Sequence, residues 1–227
     1  MNAMTTTSSR SFRLSLVAAL LLSGCAKPAP LNQPGDGRFA VTAPDSFDVA
    51  LATTKGLLTV RVRRDWAPHG ADRFFALVKN RFFDGLPFFR VVRGFVAQTG
   101  LPVDTAVAAA WRTRMIPDDS TRSSNVRGTL AFARLGPGTR STQLFFNLAD
   151  NAQLDRMNGI GFPPFAHVVD GMAVLTELHA DYSTGPNGRE VPTGPSQDSI
   201  RVQGDAYLRR AFPLLDRIET ARVVKSW

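Results

Sequence analysis

Apolar and polar positions alternate along residues 47–53, where Phe47, Val49 and Leu51 fall on one side of an extended chain, and a period of two predicts a strand. The turn TTKG and the run LLTVRVR at 57–63 predict its hairpin partner. The period then lengthens. Pro68 opens PHGADRFFALVKN, in which Phe74, Leu77 and Val78 recur at three- and four-residue spacing, so a helix is expected there. After a turn at Asp84 and Gly85, residues 87–100 predict another strand. Residues 101–127 read as irregular and polar, with Trp111 as an anchor to the rest. Strands are expected at 128–134, 143–149 and 165–171, a helix at 172–180, and a Gly/Pro/Ser/Thr loop over 183–199. A helix broken near Pro213 and a closing strand at 221–226 complete the pattern. Many short strands with few helices predict a mainly β fold, a closed antiparallel barrel with flanking α-helices.

The first 45 residues follow a different pattern. Arg10 and Arg13 precede the apolar run LSLVAALLL at 14–22, so residues 1–24 read as a bacterial export signal, too short to span a bilayer as a permanent helix. LSGC, ending at Cys25, resembles the lipobox of bacterial lipoproteins, which implies that Cys25 is acylated and becomes the mature N-terminus. Ala26 follows, where the inner-membrane retention signal has aspartate, so an outer-membrane, periplasm-facing destination is favoured. Residues 25–45 are rich in Pro and Gly and read as the lipidated cysteine with a tether. The folded domain is expected over 46–227, with a C-terminal extension from about 181.

Composition narrows the chemistry. The chain has 227 residues, 44% of them hydrophobic, enough for one sizeable core. Sixteen Phe against two Tyr point to a ring-filled interior. A net charge of +8 is spread without a polybasic run or nucleic-acid signature, so no nucleic acid is expected as partner. Cys25 is the only cysteine, and His69, His167 and His179 are not spaced as metal ligands. Neither a nucleophile motif nor a phosphate loop occurs, so no cofactor, metal or covalent intermediate is expected.

The stretch PFFRVVRGFVAQTG at 87–100 then stands out. Arg90 and Gln98 sit among apolar side chains with no acid nearby in sequence. FFRVVRGFVAQTG resembles the cyclophilin signature, commonly FHRIIPGFMxQGGD, with the same spacing from Arg90 to Phe95 to Gln98. GTLAFARLGPGTRSTQLFFNLAD at 128–150 resembles a second block of that family without a gap, and Leu154-Asp155 and FAHVVDGM at 165–172 agree in order. The resemblance covers about 47–180 and implies an eight-stranded, cyclophilin-like barrel with peptidyl-prolyl cis-trans isomerase activity. It implies that Arg90, Phe95 and Gln98 are catalytic, with Arg90 engaging the prolyl nitrogen. Val96, Ala133, Arg134, Gln143, Phe145 and Leu154 fall on substrate-binding positions, and Phe162 stands in for the pocket histidine. Arg134 replaces an asparagine that acts through its main chain. Phe89, Arg93, Thr99 and Leu101 also depart from the signature.

The expected partners are unfolded or extended proline-containing polypeptides, with the membrane reached through the lipid, and the expected form is a monomer. Two other readings stay open: a proline-peptide binding module without useful turnover, and a ligand-carrying β-barrel lipoprotein with a hollow interior.

Overall fold

The computed structural model describes residue 1, residues 30–185 and residues 189–227, so the signal segment and Cys25 lie outside the described residues. β1 (Ser46–Thr53) and β2 (Gly56–Arg63) form the predicted hairpin. Phe47 faces Val62, Val49 faces Val60 and Leu51 faces Leu58, and none of the six is more than 1% exposed. α1 (Pro68–Lys79) begins with proline, whose missing N–H has no partner to lose in a first turn. Its N-terminus is capped from afar: the Asp119 carboxylate accepts from the backbone N–H of His69 and of Gly70, each at 3.0 Å. Phe74 on its buried face packs against Phe83 and Phe165.

The segment 87–100 is a hairpin rather than a single strand. β3 (Arg90–Val92) and β4 (Val96–Thr99) pair antiparallel, with the turn at Gly94. Residues 101–127 also carry more order than their composition predicts. α2 (Thr105–Trp111) is capped by Asp104, which accepts from the N–H of Ala106 and Val107. Seven residues of mostly alanine and valine give no apolar period, which is why the pattern does not reveal this helix. Trp111 is the expected anchor: it is 2% exposed, meets Phe39 and Phe82 edge-on, and donates its indole N–H to the Leu31 carbonyl at 2.7 Å. Residues 30–45, read as the end of the tether, therefore run against the domain, with Leu31 and Phe39 partly buried on its core.

β5 (Thr129–Phe132), β6 (Leu144–Asn147) and β7 (Pro164–Asp170) follow, then α3 (Met172–Thr176), α4 (Gln197–Ala211) and β8 (Ile218–Ser226). The eight strands form one antiparallel sheet in the order β3-β4-β6-β5-β7-β2-β1-β8. This corrects the expected closed barrel: the sheet is an open half-barrel with β3 and β8 as its edges. Near the opening, Pro87 lies opposite Arg217 in an isolated bridge, and Phe88 N–H reaches the Asp216 carbonyl at 2.9 Å, but no ladder joins β3 to β8 among the described residues. β3 has three residues, and the proline leading into it has no N–H to extend a ladder.

α4 starts at Gln197, inside the stretch read as a loop over 183–199, and bends at Gly204 (φ 62°, ψ −146°). A Cβ at that position would lie 2.5 Å from the Val103 carbonyl oxygen, so only glycine lets the chain pass there. The helix ends at Phe212, before Pro213, as expected. Phe89 and Leu101 form a small core of their own with Ile200, Leu208 and Leu215, which docks the extension onto the lead-in to β3.

Candidate active site

The site is the outer face of the same strands whose inner face is the core. Along β6, Leu144 and Phe146 belong to the main core while Phe145 between them belongs to a separate apolar cluster. Along β5, Leu130 and Phe132 point to the core and Ala131 to that cluster. On β4, Ala97 faces the core and Val96 the cluster. Side chains of a strand alternate between faces, so one stretch of sequence supplies both. Val96, Ala131, Phe145 and Leu154, with the partly buried Phe95, Ala133 and Phe162, make an apolar cluster on this face.

Pairing explains the spacing of the polar residues. Arg90 on β3 lies directly opposite Gln98 on β4, and Gln98 lies opposite Phe145 on β6. Residues opposite one another share a face, so the guanidinium, the amide and the ring stand in one row across three strands. Arg90 Nη1 donates to Gln98 Oε1 at 3.3 Å, and Gln98 Nε2 donates to Gln143 Oε1 at 2.9 Å. Arg90 also lies over the Phe95 ring, 5.8 Å from its centre.

The far wall is the loop through Leu154 and Phe162. Phe162 meets Phe145 edge-on with ring centres 5.7 Å apart, and its N–H donates to the Leu154 carbonyl at 2.9 Å. Gly161 (φ 62°) makes the bend: a Cβ there would sit 2.0 Å from the Asp155 carbonyl oxygen. Asp155 anchors the loop from below, accepting from the Ser124 hydroxyl and from the backbone and side-chain N–H groups of Asn125. Burial raises the carboxyl of Asp155, yet these hydrogen bonds outweigh it and leave the group below its ordinary range. The side chain of Arg134 supplies a second brace. It donates to the carbonyls of Gly161 at 2.8 Å and Met157 at 3.0 Å, and its guanidinium lies 5.1 Å from the centre of the Phe162 ring. The Arg134 side chain therefore helps to position the Phe162 ring.

Sequence reasoning places Arg90, Phe95, Val96, Gln98, Ala133, Arg134, Gln143, Phe145, Leu154 and Phe162 in one site, and the structure brings all ten to one face. It misses two residues from the extension. Glu190 forms a two-pronged ion pair with Arg90, at 2.6 Å to Nε and 2.7 Å to Nη2. Gln197 accepts from Gln143 Nε2 at 3.0 Å. Hydrogen bonding by Arg90 lowers the Glu190 carboxyl from its ordinary value, against a smaller opposing effect of burial. The pair sits at the rim, with 27% of the Arg90 side chain and 46% of the Glu190 side chain exposed.

Among the described residues no cluster of three or more His, Cys, Asp or Glu could hold a metal ion, and no helix is long and apolar enough to cross a membrane. A surface cleft of about 630 Å³ is lined by Asp45, Arg61, Arg63, Arg64 and Trp227 among others and by none of the ten residues above. Its three arginines are each tied to an aspartate.

Comparison with known proteins agrees with this geometry. The family described as cyclophilin type peptidyl-prolyl cis-trans isomerase/CLD matches residues 48–201. Peptidyl-prolyl cis-trans isomerase B of Escherichia coli is 30% identical over 157 residues, covering 67% of this chain and 94% of that protein. A peptidyl-prolyl cis-trans isomerase of Acinetobacter baylyi is 32% identical over 151 residues, covering 65% of this chain and 80% of that protein. Among solved structures, a cyclophilin type isomerase of Cryptosporidium parvum superposes with a TM-score of 0.56 at 16% identity, over 80% of this chain and 99% of that one, a likeness of fold.

Proposed function

Because this chain belongs to the cyclophilin-type peptidyl-prolyl cis-trans isomerase family, we propose that it accelerates rotation about X-Pro bonds in unfolded or extended polypeptides. That rotation meets a barrier of about 18–20 kcal/mol because the imide nitrogen is conjugated with its carbonyl. The proline ring enters the hollow of Val96, Phe145, Leu154 and Phe162. The guanidinium of Arg90 faces the prolyl nitrogen and stabilises its pyramidal form. That form exists only near the transition state, so the contact lowers the barrier more than it tightens binding. Arginine keeps its charge at any working pH. Gln98, steadied by Gln143, holds a flanking backbone group. No covalent step is needed.

The observation that carries this reading is the cross-strand row of Arg90, Gln98 and Phe145 beside an apolar cluster separate from the main core. The ring-filled main core, with Phe47, Phe83, Phe132, Phe146 and Phe165 all at 0% exposure, speaks against a hollow ligand carrier. A protease-coupled assay on an Ala-Pro peptide tests the proposal: the wild type accelerates the slow phase and Arg90→Ala does not. Peptide binding without acceleration by the wild type selects the binding-module reading instead.

We further propose that Cys25 is lipidated and holds the domain at the cell envelope, outside the cytoplasm. The sequence LSGC supports this. Incorporation of a labelled fatty acid is expected in the wild type and absent in Cys25→Ser; equal labelling refutes the anchor.

A further inference from the structure

Three of the positions at which residues 87–101 depart from the cyclophilin signature touch the C-terminal extension. Phe89 and Leu101 pack with Ile200, Leu208 and Leu215. Arg93 pairs with Asp181 at 2.9 Å, and its backbone N–H donates to Thr184 Oγ1 at 3.1 Å. Thr184 in turn donates to the Val91 carbonyl at 3.0 Å and pairs with Glu190 in an isolated antiparallel bridge. The extension is thus fastened on both sides of Glu190, at Thr184 on β3 and at α4 in its own apolar core.

A single hydrogen-bond relay runs through the site and has both ends in that extension. It passes from Glu190 to Arg90, Gln98, Gln143 and Gln197, and Arg201 closes it by donating to Gln197 Oε1 at 3.1 Å. Gln98 and Gln143 each accept from one neighbour and donate to the next, and Gln197 accepts from both of its neighbours, so no amide in the relay can flip without losing its bonds. Glu190 engages the side edge of the guanidinium, Nε and Nη2. Gln98 takes one N–H of Nη1, so one N–H on each of Nη1 and Nη2 remains for a substrate. A free arginine side chain samples many rotamers, and fixing its plane beforehand removes that entropy cost from the transition state.

We propose that the segment from Asp181 is an integral wall of the active site and that Glu190 is a positioning residue for Arg90. This rests on the isomerase reading. Arg90 does the chemistry; Glu190 fixes the plane in which it is offered. A brake, by contrast, would have to leave the site for turnover, and the fastening at Thr184 and α4 opposes that.

NMR exchange on an Ala-Pro peptide, titrated to give both affinity and catalysed rate, tests the inference with Glu190→Gln and Glu190→Asp. Glu190→Gln is expected to cut the catalysed rate roughly ten- to a hundredfold with peptide affinity within about twofold. Glu190→Asp, which keeps the charge, is expected to recover part of the rate. An unchanged or faster Glu190→Gln overturns the proposal, the faster case making Glu190 a brake. If the wild type shows no catalysis, the isomerase reading fails by itself. The positioning claim is then decided by the Arg90 Nε–H resonance. Protection from solvent exchange in the wild type and its loss in Glu190→Gln support it; equal exchange in both overturns it.

Discussion

Arg90 and Arg140 are both held by carboxylates, and burial separates what they can do. Arg140 is fully buried, 3.0 Å from Asp119 and 3.3 Å from Asp118, and it also donates to the Pro117 carbonyl. Asp119 simultaneously caps α1, so the pair ties the 117–119 loop, the first turn of the helix and the β5–β6 connection into one unit. Every contact of that guanidinium is spent within the fold. Arg90 sits at a wet rim with one carboxylate on one edge. Its Nη1 donates to Gln98 beside the apolar cluster of Val96, Phe145 and Leu154. The same side chain is framework in one place and, under the proposed function, reagent in the other, and solvent access separates the two.

The largest expected effect that would break this comparison is at Arg140. Removing one member of a buried pair strands the other, so Arg140→Ala should cost about 3–5 kcal/mol in chemical denaturation. A loss under about 1 kcal/mol would mean that the helix N-terminus alone satisfies Asp119, and that Arg140 is no framework element.

A smaller effect is expected at the socket wall. Arg134→Ala removes two charge-assisted hydrogen bonds to the 157–161 carbonyls, about 1.5–3 kcal/mol each in favourable cases. Because they brace a loop rather than the core, the loss should read as faster amide exchange at Phe162 and weaker peptide binding, with the global melting temperature nearly unchanged. A large drop in melting temperature without a change at Phe162 would contradict the bracing role.

The pH response of the same loop sharpens the contrast. Asp155 has its carboxyl lowered on folding, so its contribution is complete above the ordinary aspartate value of about 4 and is lost as pH falls through the lowered folded value. Between pH 6 and pH 3 the wild type should therefore lose thermal stability relative to Asp155→Asn, which has nothing to titrate there. Parallel profiles would show that the carboxylate is not what holds the loop. The smallest effect is at the rim: an ion pair as exposed as that of Arg90 and Glu190 contributes about 0–1 kcal/mol, so Arg90→Ala should leave folding stability within that range.

What the chain discloses without a structure follows the range over which its physics acts. The Arg90-to-Gln98 spacing is legible through the signature it resembles, although the hairpin that sets the two residues opposite reads in sequence as a single strand, and the strand around Phe145 is legible because strand geometry is local. α1 announces itself by Pro68 and its apolar period. The open edge between β3 and β8 is not legible. It depends on how residues 85–88 meet residues 216–218, across most of the chain. Glu190 is hidden for the same reason: it lies 100 residues from Arg90, in a Gly/Pro-rich stretch with no period to mark it. The side-chain role of Arg134 depends on the path of a loop bent at Gly161, which the motif alone does not reveal.

The central claim is that Arg90 acts on the transition state and hardly on the bound ground state. Its most direct test is exchange spectroscopy on an Ala-Pro peptide with wild type and Arg90→Ala, each titrated to separate the dissociation constant from the catalysed rate. The account predicts a rate lower by roughly 10²–10³ in the variant, with the dissociation constant changed by less than about tenfold. A variant that isomerises as fast as the wild type, or whose rate falls only in proportion to lost binding, would contradict it.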